Sequence, residues 1–253
     1  MSLSVGTRRL STPRRRLSSL RRRVLAAPAI ALVLAGTVSA AGAATIVLPR
    51  PGFPAPARGA GSGAVHFTIL SSTPADPARE VPAPRSRGVR VQGPDGNTQH
   101  LVVGSGHALD FENYTRPPRI APGEREFVYE QIVYANQSGP GTLYVETAHQ
   151  TYAKSSYGLN GYLNAIDPRR AKLLWRSPAQ VANASNFVLL NDTVVTGYGY
   201  TAEPDYLYAL DRATGKVKGR VLLPSAPLRI SRHGTTLTVD TYDHRLVVRI
   251  SGG

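Results

Sequence analysis

A fifteen-residue phrase occurs twice in this chain of 253 residues, and its two copies begin 44 positions apart. The first copy, YLNAIDPRRAKLLWR, runs from Tyr162 to Arg176, and the second, YLYALDRATGKVKGR, runs from Tyr206 to Arg220. A fixed period of about 40–45 residues is the length of one four-stranded blade of a β-propeller. The duplication therefore predicts a repetitive fold in which each copy belongs to one sheet.

The sequence around the two copies predicts strands and hairpins. Apolar and β-branched residues at Val89–Val91 and Leu101–Val103 flank Asp95-Gly96, which is a strong hairpin signal. A degraded third copy follows at Leu246–Ser251. Outside one N-terminal apolar run, no stretch keeps a 3.6-residue period. We therefore expect an all-β fold of three to four propeller-like blades over residues 88–253, with residues 89–123 as an irregular fourth blade.

The repeated phrase resembles the repeat of the PQQ-like β-propeller family, whose motif is Ala-x-Asp-x-x-Thr-Gly-x-x-x-Trp. The matching residues of the two copies are Ala165, Asp167 and Trp175, and Ala209, Asp211, Thr214 and Gly215. The first copy departs from the motif at Arg170 and Ala171, and the second has Gly219 at the Trp position. The resemblance covers about residues 125–251 and implies stacked blades.

Elementary chemistry gives these motif residues structural roles. An Asp before a Thr-Gly turn accepts hydrogen bonds from the backbone of that turn, and Gly tolerates a positive φ. A buried Trp needs an acceptor for its indole N–H. The resembling family includes outer-membrane assembly lipoproteins and quinoprotein dehydrogenases. Because the dehydrogenases' quinone and Ca²⁺ ligands map onto no residues here, we expect no cofactor, no metal and no catalytic residue.

Two other groups of residues are weaker candidates for a site. His107, Asp110 and Glu112 form one group with metal-ligating side chains, and Asp240, Asp243 and His244 form another, but neither has a recognised ligand spacing. We interpret both groups as ordinary loop residues. Tyrosines at 198, 200, 206 and 208 suit either a recognition patch or β-sheet packing, and we favour packing.

The N-terminus has the pattern of an export signal. Eight arginines at positions 8, 9, 14, 15, 16, 21, 22 and 23 precede Val24–Leu48, which contains no charged side chain. About 20 apolar residues span a bilayer, and the positive end stays in the cytoplasm. The run is either an uncleaved transmembrane anchor or a signal peptide cleaved after Ala40 or Ala43. Both alternatives place the rest of the chain outside the cytoplasmic membrane.

The remaining composition limits the classes of partner. Without the eight tail arginines the net charge of +14 falls to +6, so we expect no nucleic-acid partner. Cysteine is absent, which excludes disulfides and thiolate chemistry. Residues 49–87 contain many Pro and Gly residues and are predicted to be a linker with a short strand at Val65–Leu70.

These observations predict a binding protein rather than an enzyme. We expect a non-catalytic scaffold that is held at the membrane or secreted, and that binds a protein or polymer outside the cytoplasm. The alternative is a degenerate quinoprotein-like enzyme or its accessory subunit. A blade remnant without a ligand of its own is a third hypothesis.

Overall fold

The architecture comes from a computed structural model of the chain. It describes residues 44–47, 64–95, 98–104, 107–112, 130–137, 141–149, 158–200 and 203–252. These residues form strands and turns and no helix, so the all-β prediction is confirmed. The predicted Arg-rich tail (1–23) and most of the predicted membrane segment (24–48) lie outside the described residues.

Sixteen strands follow one another along the described residues. They are β1 (Ala44–Val47), β2 (His66–Pro74), β3 (Val89–Asp95), β4 (Thr98–Val103), β5 (His107–Glu112), β6 (Gln131–Gln137), β7 (Leu143–Ala148), β8 (Tyr162–Asp167), β9 (Lys172–Arg176), β10 (Val188–Leu189), β11 (Thr193–Tyr200), β12 (Glu203–Asp211), β13 (Val217–Leu222), β14 (Pro227–His233), β15 (Thr236–Thr241) and β16 (His244–Ser251).

These strands form four sheets of four strands each. The first sheet has the order β3-β4-β5-β1, the second β6-β7-β8-β9, the third β10-β11-β12-β13 and the fourth β14-β15-β16-β2. Consecutive strands pair antiparallel as hairpins, whereas β1 pairs parallel to β5. Each duplicated phrase supplies the third and fourth strands of one sheet, namely β8-β9 and β12-β13. The fold is therefore β-propeller-like, with four blades.

Three hydrophobic cores hold successive sheets face to face. The first and second sheets share a core that contains Ile46, Leu101 and Ile166. The second and third sheets share one rich in aromatic residues, and the third and fourth share an aliphatic one around Leu207 and Val239. Because strand side chains alternate between faces, each middle sheet is buried on both sides. Burial of this apolar area is the main stabilising contribution to the stack.

The two outermost faces of the described stack carry polar side chains. On the fourth sheet, Arg229, Asp240 and Arg245 are in register, and Arg245 Nε donates to Asp240 Oδ1 at 2.8 Å. On the first sheet, His100 Nδ1 lies 2.8 Å from Asp110 Oδ1. None of the three cores formed by the described residues lies between the first and fourth sheets. Polar terminal faces are what stacked repeats need in order to remain soluble.

The structure shows a strand in each of two N-terminal segments. The end of the predicted membrane segment, Ala44–Val47, is a strand rather than part of a helix, and Ile46 is buried against the first sheet. The predicted linker contains β2, which continues beyond Leu70 to Pro74 and completes the fourth sheet by pairing with β16. Both strands supply the fourth position of a sheet whose other three strands come from a later part of the chain.

The segment after β2 connects the last sheet to the beginning of the stack. Arg79 donates through both terminal nitrogens to backbone carbonyls of the β15–β16 turn, including Thr241 O at 2.7 Å. Farther along, Arg87 forms a bridge with Asn136 on the free side of β6. Residues 75–88, which we call the strap, therefore contact both the fourth and the second sheet. No helix within the described part of the chain has the length and apolarity that a membrane crossing requires.

Candidate functional site

The second copy of the duplicated phrase forms a tight turn between β12 and β13. Asp211 Oδ1 accepts hydrogen bonds from the backbone N–H of Ala213 and Thr214 and from the Thr214 hydroxyl, at 3.1, 2.8 and 2.8 Å. Gly215 closes the turn by donating to Asp211 O, with a φ of 71°. The Asp and Thr side chains thus satisfy backbone groups that the turn leaves unpaired. These oxygens hold the turn together.

The first copy builds the same turn from different residues. Asp167 Oδ1 accepts from the N–H groups of Arg169 and Arg170, at 2.9 and 3.2 Å. Ala171 stands where the second copy has Gly215, and it adopts a φ of 48°. An L-residue in this left-handed region carries strain of about 1–2 kcal/mol. The backbone geometry is therefore preserved although the Thr-Gly pair is not.

Trp175 joins the two copies across the interface between the second and third sheets. Its indole N–H donates to Arg212 O at 3.1 Å, and its ring covers Gly215, where an added Cβ would lie 2.4 Å from Cε3. At the equivalent position of the second copy, a Cβ on Gly219 would lie 2.0 Å from the Val65 carbonyl oxygen. The chain leading into β2 occupies the place of the second Trp. Ala165 and Ala209, the remaining motif residues, are fully buried.

Polar side chains gather on the side of the stack that carries the β11–β12 and β15–β16 turns. Burial, reinforced by the negative charges of Asp243 and Glu203, raises the pKa of Asp205 to about 6. The hydroxyl of Ser225 and then His244 hold the pKa of Asp243 below its ordinary value. Burial and a short hydrogen bond to Glu203 raise the pKa of Tyr198. This side of the third and fourth sheets therefore holds several perturbed acidic groups.

Ser225, Asp243 and His244 do not form a nucleophilic triad. The Ser225 hydroxyl donates to Asp243 Oδ1, and His244 Nδ1 lies 2.7 Å from the same oxygen. Activation of a serine requires the imidazole next to the hydroxyl, with the carboxylate behind the imidazole. Here the carboxylate stands between the other two groups. The arrangement braces the connection between β13 and β14 against the β15–β16 turn.

Two members of the weaker candidate groups have other partners in the structure. Asp110 pairs with His100, and Asp240 lies beside Arg245 and Arg79 instead of joining Asp243 and His244. Among the described residues, no three metal-ligating side chains converge. Tyr198 and Tyr208 are buried in the aromatic core, in agreement with the packing interpretation.

The sequence analysis did not predict two buried features, an Arg–Glu ion pair and a separate glutamate. Arg176 Nη2 contacts both carboxylate oxygens of Glu130, at 2.8 and 2.9 Å, and its guanidinium stacks on Tyr162. Glu146 is completely buried, and neither of its carboxylate oxygens has a hydrogen-bond partner among the described residues. Burial raises the pKa of Glu146 well above its ordinary value. Arg176 and Glu130 are 46 positions apart, so no local motif could have revealed this pair.

The feature that best fits a binding role is the outer edge of β2. This strand has nine residues, HFTILSSTP, and lies at the edge of the fourth sheet, where its other side pairs with β16. It contains no Asp, Glu, Lys or Arg. Ile69 and Leu70 are 38% and 43% exposed. An unpaired edge presents a row of backbone N–H and C=O groups to any added strand.

In the other three sheets, the strand in the position of β2 has features that hinder the pairing of an added strand. β9 carries the exposed Lys172, β13 carries the exposed Arg220, and β1 has only four residues. Charged side chains and short length are two of the devices by which proteins prevent unwanted strand pairing. The absence of both from β2 marks this edge as the candidate binding surface.

Comparison with known proteins gives remote likenesses only. Neither a protein-family model nor a curated protein matches the sequence. Among solved structures, the chain is similar to the computationally designed Ika8 protein, with 10% identity and a TM-score of 0.41 over 65% of this chain and 43% of that one.

Two natural proteins show a likeness of the same order. One is BamB from Moraxella catarrhalis, with 15% identity and a TM-score of 0.38 over 70% of this chain and 59% of that one. The other is the quinohemoprotein alcohol dehydrogenase ADHIIG from Pseudomonas putida HK5, with 15% identity and a TM-score of 0.40 over 69% and 30%. The chain spans less than two thirds of the length of these three proteins. The assignment of the fold rests on the four sheets themselves.

Proposed function

We propose that this chain is an exported, non-catalytic scaffold that binds a polypeptide outside the cytoplasmic membrane, and that it is either anchored there or released. The observation that carries the proposal is the long, uncharged outer edge of β2, which pairs with no other strand among the described residues. Such an edge is an aggregation hazard unless a partner covers it. The eight arginines and the apolar run that precede this domain support export.

The chemistry of the described polar residues supports a binding role over a catalytic one. The repeat carboxylates of Asp167 and Asp211 are committed to their own turns. Trp175, the single Trp of the chain, is committed to docking on the third sheet, so it does not serve as a platform for a quinone. The function that remains is recognition through a surface.

Export of the protein and its lack of cofactor binding are tested in separate experiments. A reporter enzyme that is active only outside the cytoplasm, fused after Gly253, should be active in intact cells. Activity of a matched cytoplasmic reporter at the same position would contradict export. Purified protein should take up neither quinone nor Ca²⁺ when titrated with both, and stoichiometric uptake would favour the quinoprotein-like alternative.

A further inference from the structure

The edge of β2 has two chemically different sides. Direct cross-strand neighbours in a sheet project from the same face. On one face, Thr68 lies opposite Arg249, Ser71 opposite Val247 and Thr73 opposite Arg245. On the other face, Phe67 and Ile69 lie opposite Ile250 and Val248, toward the third sheet. A strand added to β2 therefore meets a basic, hydroxyl-lined face on one side and an apolar one on the other.

The basic face can reach across β2. Arg245 and Arg249 are both exposed, and they stand on the strand next to β2. Arg245 also donates through Nε to Asp240 on β15, on the side away from β2, and would exchange that contact for a carboxylate of the added segment. Strands lie about 4.8 Å apart, and the residues of β2 between these arginines and the free edge are short Thr and Ser. An Arg stem extends over such a surface while its guanidinium remains available to a carboxylate. The two arginines are four residues apart, or about 13 Å along the strand.

We propose that the free edge of β2 binds an extended polypeptide segment whose side chains alternate between acidic or hydroxyl residues and apolar ones, with two acidic residues four positions apart. The backbone of the added segment pairs with β2. Its carboxylates face Arg245 and Arg249, and its apolar side chains cover Ile69. This mode of recognition adds a strand to an exposed sheet edge. The inference rests on the proposed binding function and names the chemistry of its partner.

Charge selects this occupant over a second copy of the chain. An isologous pair of β2 strands would continue the fourth sheet of one copy into that of the other and place Arg245 and Arg249 of both copies on one continuous surface. Like charges side by side on that surface disfavour the pairing. The same arginines attract an acidic segment, because opposite charges then face each other.

The test uses the full chain and a nine-residue peptide that alternates Thr or Glu with Val and has its two Glu four residues apart. We expect saturable binding by fluorescence anisotropy, and we expect hydrogen-exchange protection gained on binding to be concentrated in residues 66–74. Leu70→Lys, which places a charge on the edge, should weaken binding at least tenfold. Leu174→Lys is the matched control, since Leu174 is 50% exposed on the outer strand β9, and it should leave binding unchanged.

A charge reversal separates recognition from loss of folding. Arg249→Glu should weaken binding of the Glu peptide at least fivefold and strengthen binding of the same peptide with Lys in place of Glu. The proposal is overturned if protection appears elsewhere than in residues 66–74, if both Leu variants weaken binding equally, or if the charge reversal changes neither affinity. Protection of β2 that grows with protein concentration without peptide, together with a doubled mass, would make a second copy the occupant and overturn it as well.

The two proposals fail in different experiments. A cytoplasmic location of the C-terminal reporter would defeat the exported scaffold while leaving the peptide result standing. A correctly exported protein that does not bind the peptide at β2 would defeat only the strand-addition inference.

Discussion

At the scale of single residues, Ala171 shows how the fold tolerates an imperfect copy of its own motif. The first copy keeps the Asp167 bonds of the turn but holds Ala171 at a φ of 48°, whereas the second copy has Gly215 at 71°. Alanine in this region is strained, but glycine carries a larger entropy in the unfolded chain. The balance favours glycine, because the strain exceeds the entropy difference.

We therefore expect Ala171→Gly to raise the free energy of unfolding by about 0.5–1 kcal/mol. Equilibrium urea denaturation measures the change. The reciprocal variant, Gly215→Ala, should destabilise the protein by about 2 kcal/mol, because its new methyl group would also meet the ring of Trp175. A destabilised Ala171→Gly protein would show that the backbone at this turn is not strained.

Glu146 is a second residue-scale feature, with a consequence for pH. Its folded pKa is raised by burial, so the folded state binds its proton more tightly than the unfolded chain does. This residue costs no stability below the unfolded pKa, near 4.3. As pH rises above that value, the unfolded chain ionises first, and folding loses about 1.4 kcal/mol per pH unit until the buried carboxyl also ionises.

Glu146→Gln should remove this dependence. The free energy of unfolding of the variant, minus that of the wild type, should grow as pH rises above about 4.3, by up to about 1.4 kcal/mol per pH unit, until the buried carboxyl ionises. Urea denaturation at a series of pH values provides the measurement. Glu80→Gln, which changes an exposed carboxylate in the strap, is the control and should run parallel to the wild type. A difference between Glu146→Gln and the wild type that stays constant with pH would show that burial does not raise the pKa of this carboxyl.

At the scale of elements, local patterns were sufficient for hairpins but not for strands whose partners lie far away. Apolar residues around Asp95-Gly96 predicted the β3–β4 pair, and the duplicated phrase predicted β8-β9 and β12-β13 as equivalent units. β2 was only partly predicted, because its length depends on pairing with β16 about 180 positions later. β1 was missed because an apolar strand and the end of a membrane segment share one composition.

The candidate binding edge could not be predicted from the sequence either. HFTILSST is a plausible strand on its own, but its free side becomes visible only when β16 occupies the other side. Gly219 gives a similar lesson. Its departure from the Trp of the motif looks like decay in the sequence, whereas the structure shows the backbone of Val65 in the same space. The motif predicted the turns and the docking of Trp175. The departure at Gly219 is explained by a contact with a distant part of the chain.

At the scale of the whole molecule, the early part of the chain secures the late part. Val65 donates to Lys218 O in the third sheet, β2 completes the fourth sheet, and the strap then returns to the second. Independent stacked repeats unfold one after another from their ends. Here the C-terminal sheet is held by N-terminal segments, so we expect the described sheets to unfold together.

Arg79 is the strap residue whose loss should uncouple the fourth sheet. Its guanidinium donates to the carbonyls of Asp76, Thr241, Tyr242 and His244 and lies 4.0 Å from Asp240. Arg79→Ala should lower the free energy of unfolding by about 2 kcal/mol, because several charge-assisted hydrogen bonds disappear together. Hydrogen exchange should accelerate in β15 and β16 before it does in β7 and β8. Arg85→Ala, at an exposed position of the same strap, is the control and should change neither quantity. Uniform acceleration over all sheets in Arg79→Ala would show that the fourth sheet does not open separately, and that the strap stabilises the stack as a single unit.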